Sequence, residues 1–277
     1  MIIDSHQHFW QLSRNDYKWL TDDLPALYRD FMPNDYYPIL NEHQIDKTIV
    51  VQAAPTIEET WFLLDLYKKY EWIAGVVGWL DFSDVAFKQN LEALLQHPGF
   101  VGVRPMLQDL EQDDWILQEE VLRNIEYLVD HDVPLDLLIK TRHIPYILEL
   151  LKSFPTLRVV VNHIAKPNIA QQQFADWEKA INMIAVYPNA MCKLSGLVTE
   201  ATHKNWTVEQ FQPYIEHVIN VFGPNRVMFG SDWPVCNLSG TYDDVLKILI
   251  ANLPANLVGN DDLAMIFGEN AQRFYKV

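Results

Sequence analysis

The sequence predicts an α/β fold, a single (β/α)8 TIM barrel, on three observations. Eight short apolar, β-branched runs recur along the 277 residues. Most of the segments between them carry apolar residues at helical spacing. The starts of successive runs are separated by 45, 26, 27, 33, 24, 33 and 36 residues, about the length that a crossover helix between parallel strands needs. An open doubly wound sheet is the competing arrangement. It announces itself with a glycine-rich first turn, whereas the first run here leads into SHQHFW.

Strands are predicted at 2–6, 47–52, 73–79, 100–104, 133–139, 157–163, 190–195 and 226–231. The clearest helical patterns are FKQNLEALLQH, EEVLRNIEYLVDH, IPYILELLKSF and WEKAINMIAVY, continued by EQFQPYIEHVINVFG and DVLKILIANL. Their leucine and aromatic stripes read as core. The first interval is the longest. Residues 9–34 form a long loop after the first strand, rich in Trp, Tyr, Asp and Pro. Such a loop leaving the catalytic end of a barrel reads either as a pocket wall or as a segment anchored by its own aromatics.

Composition narrows the function. With 49% hydrophobic and 21% charged residues the chain can build a large core. A net charge of −16 argues against nucleic acid or an anionic membrane as partner and leaves a small molecule. The two cysteines, Cys192 and Cys236, form no CxxC and no disulfide framework, so a reducing cytoplasm is expected. No signal segment opens the chain and no apolar run reaches membrane-spanning length. Oligomeric state is left open.

Chemistry concentrates at the C-terminal ends of the strands, which face one mouth in a closed barrel. The first gives His6 and His8, two residues apart and so on one face, with Asp4 behind them. The fourth gives Arg104, the sixth His163, the seventh Lys193 and Ser195, and the eighth Asp232. A lone strand-end histidine is most often only a hydrogen-bonded residue, and a lone aspartate most often a cap. Three imidazoles and a carboxylate together suit Zn²⁺ or a similar ion, with His6, His8, His163 and Asp232 as ligands. The same carboxylate can act as general base toward water.

The motifs DSHQHFW, DYKWL, GVRP, NHIAKP, KLSGL and FGSDWP occur in that order, followed by FGENAQRFY near the end. In this set the chain resembles the amidohydrolase superfamily, and within it the sugar-lactonase-like branch that also holds 2-pyrone-4,6-dicarboxylate hydrolases. The resemblance covers essentially the whole chain and implies one amidohydrolase-like barrel over residues 1–277. It implies hydrolysis of a small carbohydrate-derived lactone. An aromatic-derived lactone or a decarboxylation on the same scaffold is the alternative, and a non-catalytic binding barrel the least favoured reading. Binuclear members carry a Lys or Glu on the fourth strand and a His on the fifth. Here Arg104 and VPLDLLIK stand in those places, so one divalent ion at most is expected, zinc first, and metal-free catalysis stays open.

On that reading Asp232 takes the proton from water and returns it to the leaving alkoxide, and His163 is its catalytic partner. Arg104, Lys166 and Lys193 are expected to contact substrate. Trp10 and Trp233, with Trp79, are expected to offer a ring face to a sugar.

Overall fold

Eight parallel strands stand side by side in chain order: β1 (Ile3–Gln7), β2 (Lys47–Val51), β3 (Ile73–Gly78), β4 (Phe100–Val103), β5 (Leu135–Leu137), β6 (Val159–Val161), β7 (Ala190–Leu194) and β8 (Val227–Phe229). The computed structural model that shows them describes residues 1–277 apart from 256 and 258. Each of the eight predicted runs holds one strand. The seam between β8 and β1 is closed just past β8. There His8 N donates to Trp233 O at 2.7 Å and Asp232 N to His6 O at 2.7 Å. The backbone bonds that complete the ring therefore run through the candidate site itself.

The outer helices follow the predicted patterns, at Phe87–Leu95, Glu119–Asp130, Ile144–Ser153, Ala175–Ala185, Gln212–Phe222 and Tyr242–Ala251. Each buries its apolar stripe, as Val121, Ile125 and Leu128 do on the fourth strand's helix. A second apolar cluster joins Ile3, Ile49, Val160, Met191 and Met228 of the strands to Ala271, Phe274 and Tyr275. This C-terminal helix, Asn270–Tyr275, packs at the N-terminal end of the strands, opposite the mouth. Its Tyr275 hydroxyl reaches up to donate to Asp136 Oδ1 at 2.8 Å.

The long first loop is pinned at its neck. Trp10 and Phe31 exchange backbone bonds of 2.9 and 3.0 Å, and the Trp10 indole N–H donates to Arg29 O at 2.8 Å. The first helix, Pro33–His43, starts directly afterwards, with Asp35 accepting from Met32 N at 2.9 Å.

Candidate active site

Asp232 Oδ1 is the point on which three imidazoles converge. His8 Nε2 lies 3.2 Å from it, His6 Nε2 3.7 Å and His163 Nε2 3.8 Å. All four side chains are buried, with only 3–4% exposure for His8, His163 and Asp232. Residues spread over most of the chain thus meet around one oxygen.

Every member is braced from behind. The His8 Nδ1 faces Val51 O at 2.8 Å, and the His163 Nδ1 faces Ser195 Oγ at 2.8 Å. The Arg104 guanidinium grips Gln52 through its side-chain and backbone oxygens, and its Nη1 lies 3.4 Å from His6 Nε2. Lys193 Nζ sits 3.4 Å from His6 Nδ1 and forms a fully buried ion pair with Asp136 at 2.7 Å. Asp4 ties β1 to the segment after β8: it accepts from His6 N, Ser231 N and the hydroxyls of Tyr36 and Tyr242.

The backbone at the site is itself unusual. His163, Ile164, Ala165 and Lys166 have φ of 53°, 47°, 60° and 50°, a complete left-handed turn without a glycine. Asp232, at φ 57°, is left-handed too. Left-handed geometry costs on the order of 1–2 kcal/mol per L-residue, and such strain persists only where the surroundings over-determine it. Here the Trp177 indole N–H donates to Ile164 O at 2.6 Å and Lys166 N to His163 O at 2.8 Å. Space is made by glycine. A Cβ on Gly196, φ 63°, would stand 2.4 Å from His163 Nδ1, and one on Gly230 would stand 2.7 Å from His6 Cβ.

The family model described as Amidohydrolase matches residues 3–277. This chain belongs to the amidohydrolase family. Among curated proteins the amidohydrolase is 40% identical over 278 residues, 99% of this chain and 95% of the other, to an L-fucono-1,5-lactonase of Burkholderia ambifaria. It is 32% identical over 286 residues, again 99% and 95%, to an L-fucono-1,5-lactonase of Burkholderia multivorans. A solved structure of a B. multivorans amidohydrolase with bound zinc superposes with a TM-score of 0.94 at 31% identity, covering 100% of this chain and 99% of that one.

Burial sets the protonation of the amidohydrolase's site. It pushes the His163 imidazole down to about 3 and those of His6 and His8 below their ordinary range, so all three are neutral at pH 7. Burial opposes ionisation of Asp232, but its surroundings, the Lys166 ammonium among them, hold the carboxyl below the ordinary aspartate range. The donor set fits a divalent cation. Because His8 must donate its Nδ1 proton to the Val51 carbonyl, its Nε2 turns a lone pair toward a carboxylate oxygen only 3.2 Å away. A cation between them relieves that apposition. Ligand atoms of His6, His8 and Asp232 all lie within 4.8 Å of one another. His163 stands outside this triplet, unlike the expected four-ligand set. Among the described residues no second buried triplet of this kind adjoins it.

Above these residues opens a cleft of about 360 Å³. His8, His163, Asp232, Arg104 and Lys166 all line it. Four expected substrate contacts do not. Lys193 is sealed beneath, fully buried against Asp136, because a buried ammonium needs a counter-charge more than it needs a ligand. Trp10 packs edge-on against Phe31 and Trp19, and Trp233 against Tyr36 and Phe31, so both are spent on anchoring the loop. Trp79 does not line the cleft either. The aromatic that does is Trp19, within the DYKWL motif, its indole N–H donating to Ala53 O at 2.7 Å. Glu200, His203, Gln108 and Asp109 are further lining residues that sequence reading passed over.

Proposed function

We propose that this enzyme opens a small aldonolactone by attack of water, with Asp232 as general base. The carrying observation is the buried Asp232 carboxyl at the floor of a cleft, with imidazole nitrogens of His8, His6 and His163 at 3.2, 3.7 and 3.8 Å from its Oδ1. The relatives named L-fucono-1,5-lactonase make a six-membered 6-deoxysugar lactone the first substrate to try.

The steps follow from the residues. Asp232 orients a water and takes its proton as the oxygen attacks the lactone carbonyl. Ser195 Oγ lies 2.8 Å from His163 Nδ1; in the tautomer where the hydroxyl donates, His163 carries its proton on Nε2 and presents it to the developing oxyanion. Arg104, clamped by Gln52, adds positive potential at the same place. Protonated Asp232 then returns its proton to the ring oxygen as the acyl bond breaks. His6, His8 and Asp232 would hold a divalent ion, zinc first, which when bound lowers the pKa of water and polarises the carbonyl. Lys166 contacts the substrate from the rim. The two cysteines are free and buried, which suits the cytoplasm. No helix among the described residues is long and apolar enough to cross a membrane.

A dicarboxylate substrate fits less well. Arg142 is paired with Asp113 at 2.7 Å, Lys193 is sealed, and Lys166 faces Glu200 at 3.5 Å. A panel of aldonolactones with a pH indicator tests the proposal, alongside metal analysis of the purified protein. Acid release from a 1,5-aldonolactone is expected; a panel that stays inert, with an aryl carboxylate losing CO2 instead, overturns it.

A further inference from the structure

Resting on that hydrolytic reading, we infer that Lys166 and Glu200 form a hydroxyl-reading pair that selects a polyhydroxylated ring, held face-on by Trp19. The cleft has two unlike walls. Trp19 is tethered at Ala53, just past β2, while Lys166 and Glu200 follow β6 and β7. In a ring of eight strands β2 and β6 are diametrically opposite, so the substrate lies between them.

The Trp19 wall is apolar by default. Its one polar atom is committed to Ala53 O, and Leu24, from the same long loop, lines the cleft with it. It has ring surface to offer and no free donor. A sugar ring has a matching face of C–H groups.

The opposite wall is built for hydroxyls. Lys166 Nζ and Glu200 Oε1 are 3.5 Å apart, each side chain about one-fifth exposed, at 20% and 23%. At that separation neither group is saturated: the ammonium keeps spare donors and the carboxylate spare acceptors. A hydroxyl is both donor and acceptor, so one hydroxyl, or two neighbouring ones, can bridge the pair. Both residues are held by fixed backbone. Lys166 ends the left-handed turn that starts at His163, so one strained segment delivers a reacting-centre residue and a rim residue together. Glu200 O accepts from Ala170 N at 2.9 Å, and Thr199 Oγ1 donates to Gly196 O at 2.8 Å.

The test uses rings that cannot be hydrolysed. Binding of a polyhydroxylated 1,5-aldonolactam and of unsubstituted δ-valerolactam is measured by calorimetry on the full chain, with circular dichroism confirming the fold of each variant. Wild type should prefer the hydroxylated ring. Glu200→Gln and Lys166→Met should each cut affinity for it by on the order of ten- to a hundredfold, the range of a charge-assisted hydrogen bond, and shrink the preference over δ-valerolactam by the same factor. Trp19→Leu should weaken both lactams together. The inference is overturned if wild type shows no preference, or if the two charge variants keep it. Hydrolysis is scored separately: a lactam preference without turnover of any lactone sinks the catalytic reading alone, and turnover with an unchanged preference in the variants sinks this one alone.

Discussion

The floor of the cleft and its walls are built by different physics. On the floor, His6, His8, His163 and Asp232 are almost wholly buried, and each is fixed by a partner that is buried in turn: Val51, Ser195, Lys193 with Asp136, and the Asp4 cluster. On the walls, Trp19, Lys166 and Glu200 are partly exposed, and their side chains are held by a few contacts to loop backbone, to Trp10 or to each other. The difference separates tasks. Proton transfer needs reacting groups held within fractions of an ångström. Discrimination between substrates is carried by a rim that can change without disturbing the floor.

The largest effect should come from the floor's reacting group. Asp232→Asn keeps the shape but removes the base, and kcat should fall by about a thousandfold, within the usual range for a lost general base. Steady-state assay with the best aldonolactone checks it. Activity near the wild-type level would mean that another group takes the proton.

Next comes the brace. Lys193→Met leaves the Asp136 carboxylate buried without its counter-charge, although Tyr275 and Asn162 still donate to it. Breaking a buried pair in this way costs about 3–5 kcal/mol. Denaturant unfolding should show that loss, and adding Asp136→Asn should recover much of it. A Lys193→Met protein as stable as wild type would show that the buried pair contributes nothing to stability.

Much of the floor was legible in the sequence and little of the wall. An HxH at a strand end, NH after VVV and SD after VMFG declare themselves because reactive polar groups interrupt apolar runs. The same signal marks Asp136 and Lys193, the charges that interrupt the apolar VPLDLLI and AMCKL, as a pair, since a buried charge needs a partner. Their separation of 57 residues hides the pairing from a local reading. The left-handed turn over His163–Lys166 has no glycine to announce it; tertiary contacts impose it. Trp19 could not be told from Trp10 or Trp233 without knowing which aromatics the loop spends on its own neck.

Gly196 joins the two regions, lying behind His163 just before the Glu200 segment. Gly196→Ala places a methyl carbon 2.4 Å from His163 Nδ1 at a φ of 63°. The backbone term alone costs about 1 kcal/mol, and displacing His163 should lower kcat by about a further tenfold or more. Substrate affinity should shift less than kcat. A fall confined to KM would place the damage on the wall instead.

The smallest effect sharpens the comparison through pH. Glu59 lies behind the Trp19 wall. Its buried carboxyl accepts from Ala53 N at 2.9 Å and Ala54 N at 2.7 Å, beside the carbonyl that holds the Trp19 indole. Burial raises it from 4.5 to about 8, against the pull of those N–H groups. The folded chain therefore keeps a proton that the unfolded chain has released. Stability on this account is full below about pH 4.5, falls as pH rises, and levels off above about 8. The slope between those limits is about 1.4 kcal/mol per pH unit for one fully differing proton. Glu59→Gln retains an acceptor for the backbone and cannot titrate, so the difference between variant and wild-type unfolding curves isolates this group. The difference should grow in the variant's favour from pH 5 to 8, by about 1 kcal/mol between 7 and 8. Parallel curves would show that Glu59 ionises normally in the folded chain.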